Sequence, residues 1–280
     1  SYNEYGTLED LENAGFNYDY YISGSDQIWN VYCNDFNYAY FLPFVKSGKR
    51  IAYAPSMGAQ LSIKTYKDRK KVIDLLNQYD AISVREAVGA RYIGEITKMP
   101  TASVLDPTLL LNPQEYDNLI DDKPLIKGEY VFIYSPNFTE KVNEMAEALG
   151  DKYNKQVVIS QGLISKNAML KWGRKFNIYT ATGPKEFLNL CKNASIICCD
   201  SFHAVAFSIL FKKCFFVLDG MKDNRISNLL QITHLQNRNF SSPNEYFNAP
   251  LQMDFTQPLG ALEIERRKSL EWLKEHLDVC

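Results

Sequence analysis

IICCDSFHAVAFSILF, residues Ile196–Phe211, decides how the chain is read. Ile196–Cys199 is a short apolar run that fits a strand buried on both faces of a parallel sheet. Asp200 and Ser201 are helix-capping residue types, and Val205, Ile209 and Leu210 then recur at helical spacing. The stretch predicts a strand, a tight turn and a helix. In open α/β sheets that junction is where ligands bind, because free backbone N–H groups and the helix dipole converge there. His203 falls in the first helical turn, where an imidazole can trade protons near neutral pH. A lone histidine is more often a packed residue than a catalytic one. Here, though, His234 falls in a polar loop and His276 on a charged terminal helix. His203 is the candidate for acid–base chemistry by its position.

Outward from this unit, the same alternation of strand and helix runs through the chain. Tyr20–Ser23 reads as a strand that opens into GSDQIWN, Gly24–Asn30. Gly24 allows a sharp turn, Ser25 or Asp26 can cap the next segment, and Gln27, Trp29 and Asn30 offer hydrogen bonds and a stacking face. Arg50–Ala54 is the next strand, followed by the small-residue loop Pro55–Ala59, which holds Ser56. Lys64–Tyr79 reads as a helix, and Ala81–Val84 as a strand that ends in Arg85 and Glu86. Arg85 could grip an anion or simply pair with Glu86. Ala102–Leu105 is a strand closed by the Asp106-Pro107-Thr108 turn.

Charge, Pro124 and Gly128 interrupt the pattern at 122–128, which places a domain boundary there. The second half resumes with strands at Tyr130–Tyr134, Gln156–Ser160, Asn177–Tyr179 and Cys214–Leu218, besides Ile196–Cys199. Thr139 is read as the cap of a helix through Tyr153, and Arg225 as an early residue of another behind Asp223. Leu259–Leu277 is a long amphipathic helix placed to cross back onto the first half. The expected domains are 1–122, 128–258 with the His203 unit, and the helix 259–280 packed on the first.

Composition narrows the function classes. The 280 residues are 46% hydrophobic and 23% charged, as expected of a globular protein with room for two α/β domains. A net charge of −2 leaves no basic excess for a general nucleic-acid binder. No apolar run is long enough to span a bilayer, and no signal-peptide pattern is visible. The six cysteines show no metal-ligand spacing, and adjacent Cys198 and Cys199 in a core strand suit reduced thiols, which points to a cytoplasmic location. Neither a GxGxxG nor a GxxxxGK[ST] phosphate cradle occurs, and neither GxSxG nor HExxH is present.

DYYISGSDQIWN (Asp19–Asn30), RIAYAPSMGA (Arg50–Ala59), AISVRE (Ala81–Glu86), VLDPTLLL (Val104–Leu111), CDSFHAVAFSILF (Cys199–Phe211) and NRISNLLQITHLQNR (Asn224–Arg238) occur in order. Together they resemble the polysaccharide pyruvyl transferase family, from about Asp19 to the C-terminal helix. The resemblance implies two Rossmann-like, doubly wound domains in a GT-B-type glycosyltransferase arrangement, with the active site between them. It implies transfer of the enolpyruvyl group of phosphoenolpyruvate to a hexose, leaving a cyclic pyruvate ketal. The acceptor would belong to a surface polysaccharide, such as an exopolysaccharide or capsule, or to its lipid-linked precursor. In the second case the protein would associate peripherally with the membrane. Phosphoenolpyruvate is the donor substrate, and no cofactor or metal is implied.

On this resemblance His203 is the acid or phosphate partner, and Asp26 or Asp200 the base. Substrate contacts would come from Gly24, Ser25, Gln27, Trp29 and Asn30 in the first loop. Ser56, Arg85 and Asp106 would add to them, with Ser201 and Arg225 from the second half. Many members carry arginine two residues before the histidine, where this chain has Ser201, as in a branch that reads Asp-Ser-Phe-His. Arg225 or Arg85 is then expected to supply the charge. Members also usually begin with a glycine- and asparagine-rich strand–loop, and none precedes Asp19. Two other readings stand beside this one: a nucleotide-sugar glycosyltransferase on the same plan, and a non-catalytic carbohydrate-binding relative.

Overall fold

Short apolar runs become strands in both halves of the chain. The computed structural model describes residues 4–120, 123–160, 162, 164–180 and 183–278. The first strands are β1 (Tyr20–Ser23), β2 (Lys49–Ala52), β3 (Ala81–Val84) and β4 (Thr101–Ser103). They form a four-stranded sheet in the order β1-β2-β3-β4, parallel throughout. The second set is β5 (Tyr130–Tyr134), β6 (Gln156–Ser160), β7 (Asn177–Tyr179), β8 (Ile196–Cys199), β9 (Cys214–Leu218) and β10 (Asn239–Phe240). These form a six-stranded parallel sheet in the order β10-β9-β8-β5-β6-β7. The described helices in chain order are α1 (Leu8–Asn13), α2 (Arg69–Leu76), α3 (Ala87–Thr97), α4 (Pro113–Asp117), α5 (Glu140–Tyr153) and α6 (Lys166–Trp172), then α7 (Pro184–Asn193), α8 (Phe202–Leu210), α9 (Asn224–Ile232), α10 (Pro243–Asn248) and α11 (Thr256–His276). None is long and apolar enough to cross a membrane.

The chain divides into two compact units, Ser1–Leu110 with Ile264–Cys280, and Leu111–Glu263. Side-chain contacts explain the assignment at each end. Tyr116 of α4 packs edge-on against Phe207 and Phe211, and Lys192 pairs with Asp117, so the segment after Leu110 belongs with the second sheet. Late in α11, Arg266 donates to the Leu109 carbonyl, Ser269 accepts from the Leu105 N–H, and Trp272 lies against Tyr53. Those bonds join the end of the helix to the first sheet.

Every residue of β8 is buried, as are all but the last of β5, which is how strands covered on both faces are built. The central cysteines follow from this. Burial pushes the Cys191 and Cys198 thiols far up, and pushes Cys214 up to about 11. Their thiols are held neutral, as burial in apolar surroundings dictates. Arg238 is 2% exposed, donates to the Phe215 and Pro250 carbonyls, and lies against both the Phe216 and Phe240 rings. It ties β9 to the loop that follows α10, with its bonds to the Phe215 carbonyl made in the buried core.

Tertiary packing moved three of the expected boundaries. The helix expected over Lys64–Tyr79 begins only at Arg69, because Tyr66 is extended and its ring packs against Tyr32 and Phe36. The strand expected to reach Ala54 stops at Ala52, and Ala54 takes the left-handed conformation at φ 56°. The strand expected over Ala102–Leu105 lies at Thr101–Ser103.

Candidate functional site

A parallel sheet delivers the loops after all its strands to one edge. In the first unit those loops carry Asp26, Ser56, Arg85 and Asp106. Arg85 is 2% exposed and donates from Nη1 to Asp106 Oδ2 at 2.8 Å and from Nη2 to Asp26 Oδ1 at 3.2 Å. Its Nε lies 3.9 Å from Glu86 Oε1. Ser25 Oγ donates to Asp106 Oδ2 at 2.7 Å, and Asp106 Oδ1 accepts from the backbone and hydroxyl of Thr108. Ser56 donates to Glu86 and accepts from the Gly58 N–H. Ser25, Asp26, Arg85 and Asp106 are thus one connected network, with Ser56 joined through Glu86. Three carboxylates surround one guanidinium, so the fork of Arg85 is committed to Asp106 and Asp26.

The first loop is built differently from its sequence reading. No helix follows it, so Ser25 and Asp26 cap nothing. The unusual backbone is at Asp26, φ 68°, and a Cβ at the exposed Gly24 would meet open space. Asp26 instead pairs backbone to backbone with the next loop: its carbonyl accepts from Ser56 N, and the Ser56 carbonyl accepts from Trp29 N. Gly58, at φ 88°, lets the loops close, since a Cβ there would lie 2.5 Å from Asn30 Nδ2 and 2.9 Å from Gln27 Oε1. Gln27 and Asn30 bond to each other. Trp29 is fully buried and stacked on Phe41 at 5.4 Å, so its expected stacking face is filled by the core.

In the second unit the strand order itself points to a site. The chain builds β5, β6 and β7 outward on one side, then returns to lay β8, β9 and β10 on the other. The reversal falls between β5 and β8, and the carboxyl end of such a switch point is where doubly wound sheets bind ligands. Ser135 follows β5 at that end, and Asp200 follows β8. Asp200 Oδ2 accepts from Ser135 Oγ at 3.0 Å and from Thr139 Oγ1 at 2.5 Å. Asp200 Oδ1 is buried, and no donor of the described chain reaches it. Burial pushes the preceding Cys199 thiol up, and the Asp200 charge adds to the effect, so the thiol stays neutral beside the carboxylate.

Asp200 and Ser201 do not cap α8 as expected. Ser201 occupies the cap position without a side-chain cap bond, and the Asp200 carboxylate reaches back to the β5–α5 turn. Thr139 likewise sits at the start of α5 without capping it, because its hydroxyl is given to Asp200. His203 is half-buried in the first turn of α8, edge-on to the Phe202 ring at 5.4 Å. Arg225 opens α9, which packs on α8, and its guanidinium makes a two-point pair with Asp223. The sequence reading passed over Ser135 and took Thr139 for a helix cap, so neither was expected at the site. The available signal was a polar residue ending an apolar strand in YVFIYS, on the same sheet edge as Asp200.

The switch point therefore gathers a buried carboxylate oxygen with no donor among the described residues, a first-turn imidazole and helix N-termini. Among the described residues, no group of His, Cys, Asp and Glu is arranged to hold a metal.

The family described as Polysaccharide pyruvyl transferase matches residues 2–220, a span that includes both loop networks and His203 and stops short of Arg225. No curated protein matches the chain. Among solved structures, the wall teichoic acid polymerase TagF is 13% identical, with a TM-score of 0.51 over 93% of this chain and 72% of that one. A UDP-N-acetylglucosamine 2-epimerase from Rickettsia bellii is 12% identical, with a TM-score of 0.49 over 88% of this chain and 81% of that one. The expected α/β class, two parallel-sheet units with GT-B-like relatives, is borne out.

Proposed function

Because the chain belongs to the polysaccharide pyruvyl transferase family, we propose that it moves the enolpyruvyl group of phosphoenolpyruvate onto two hydroxyls of a hexose. The product is a cyclic ketal and inorganic phosphate. The acceptor is a sugar of a surface polysaccharide or of its lipid-linked precursor. The observation that carries the reading beyond family membership is the donorless Asp200 Oδ1 at the switch point, on the stretch that also bears His203.

The chemistry makes three demands. The donor's methylene carbon must gain a proton, which makes the adjacent carbon electrophilic. Two sugar hydroxyls must add to that carbon and lose their protons, and the C–O bond to phosphate must break. Of the two protons released, one balances the new methyl group and the other leaves with phosphate. His203 supplies the methylene proton, and Asp200 Oδ1 takes the first hydroxyl proton. The N-terminus of α8, with the Ser201 backbone turned out of the helix, favours the donor's anionic groups. Asp26 is the alternative base; its carboxylate is exposed but shared with Arg85.

A doubly charged phosphate needs more than the half charge of a helix terminus. Arg225 supplies it by trading Asp223 for the donor, whereas Arg85 is assigned to holding its own loops. Arg225→Lys keeps the charge and loses the fork. Its affinity for phosphoenolpyruvate, read by calorimetry, is expected to fall by roughly tenfold, the worth of one charged hydrogen bond. Unchanged affinity would remove Arg225 from the site.

The test of donor class is thermal. A ligand that binds the native state raises its melting temperature. Phosphoenolpyruvate is expected to do so and nucleotide sugars are not; the reverse pattern would favour a glycosyltransferase. No shift with either, together with a shift from oligosaccharides, would favour a carbohydrate-binding protein without catalysis.

A further inference from the structure

We propose that Ser135 and Thr139 are positioning residues that hold the Asp200 carboxylate in one orientation, so that Oδ1 is the oxygen that exchanges a proton with a bound hydroxyl. This deepens the transferase reading and rests on it for the identity of the reaction.

The hydrogen-bond directions support the assignment. The Thr139 N–H donates to Ser135 Oγ at 3.0 Å, which occupies that oxygen as an acceptor and turns its proton toward Asp200 Oδ2. Thr139 Oγ1 sends a second proton to the same oxygen at 2.5 Å. Among the described residues, one carboxylate oxygen therefore carries two donors and the other carries none. A freely rotating carboxylate would make its two oxygens equivalent. Here the difference is built by residues from a separate strand–helix turn, 61 and 65 positions away in sequence.

The backbone keeps the latch in place. Phe138 is left-handed at φ 53°, and its N–H returns to the Ser135 carbonyl at 3.0 Å, closing the turn that presents both hydroxyls. Ser135 is 1% exposed, so water competes little for its proton. Thr139 stands at the helix start, yet no side-chain cap bond forms there. A cap bond of the usual kind is worth about 1 kcal/mol, and this threonine directs its hydroxyl to a carboxylate instead, where the bond is charge-assisted.

Several ionisable groups belong to the same elements. Cys199 on β8 is neutral, His203 lies in the first turn of α8, and Glu140 at the start of α5 is paired with Lys171 at 2.9 Å. Tyr134 on β5 is turned against the Phe187 ring, with centroids 4.5 Å apart.

The test uses Thr139→Val, which keeps the shape and loses the hydroxyl, Thr139→Ser, which restores it, and Ser135→Ala. With phosphoenolpyruvate and a hexoside acceptor, kcat is expected to fall by roughly 10–100-fold in Thr139→Val and in Ser135→Ala. KM for phosphoenolpyruvate should stay within about twofold, and Thr139→Ser should recover most of the rate. The carboxyl-carbon NMR resonance of Asp200, recorded at one fixed pH, reads the same latch without any turnover; it should move in Thr139→Val and return in Thr139→Ser. A displaced resonance in a protein that transfers nothing would keep the latch and overturn the reaction. Turnover and resonance both unchanged in folded Thr139→Val would overturn the latch and leave the reaction standing.

Discussion

Replacing His203 with alanine is expected to lower ketal formation by roughly 10²–10⁴-fold, the usual contribution of a positioned general acid. The residue is half-buried at the beginning of α8, and the helix is anchored by its fully buried residues Val205, Ile209 and Leu210, not by the imidazole. The fold should survive, with an unchanged circular dichroism spectrum and a denaturation midpoint close to that of the parent. His203→Gln keeps hydrogen-bonding capacity but cannot deliver a proton at neutral pH, so it should be as slow as alanine. Full activity in His203→Gln would reassign the ring to binding, and loss of folding in His203→Ala would make it a packing residue.

The largest effect on stability is expected in the first unit. Arg85→Leu removes the cation between Asp106 and Asp26 and leaves Asp106, 2% exposed, as a buried charge that accepts from the Ser25 hydroxyl and from the hydroxyl and N–H of Thr108. Breaking a buried pair from one side costs about 3–5 kcal/mol. Urea denaturation should show a loss of that order. Asp26 contributes little to it, because an exposed carboxylate is screened by water. The double variant Arg85→Leu with Asp106→Leu should recover part of the loss, since the stranded charge is gone. A single variant within about 1 kcal/mol of the parent would mean that the network is solvated and not part of the core.

What could be read from sequence divides along physical lines. Strands β3, β5, β6, β8 and β9 are legible because continuous apolar runs bounded by turn residues have little alternative to a covered sheet. Strand order is not legible, because it is a property of long-range pairing, and the switch point between β5 and β8 follows from order alone. The candidate site shows the same division. His203, Asp200, Arg85 and Asp106 stand out as polar residues at strand ends. Their partners do not, because a local rule assigns Thr139 to a helix cap and Trp29 to a stacking face, while tertiary contacts send one to Asp200 and the other into the core beside Phe41. Capping preference is worth about 1 kcal/mol, and a charge-assisted bond in a half-buried site outweighs it.

The central claim is ketal transfer, and one measurement addresses it most directly. The protein is incubated with phosphoenolpyruvate and a panel of hexosides, while phosphorus NMR follows inorganic phosphate and proton NMR follows a new methyl resonance on the acceptor. The account predicts phosphate and ketal methyl appearing in equal amounts with at least one hexoside, and both disappearing with His203→Ala. Consumption of a nucleotide sugar by the same preparation, with phosphoenolpyruvate left intact across the whole panel, would contradict it.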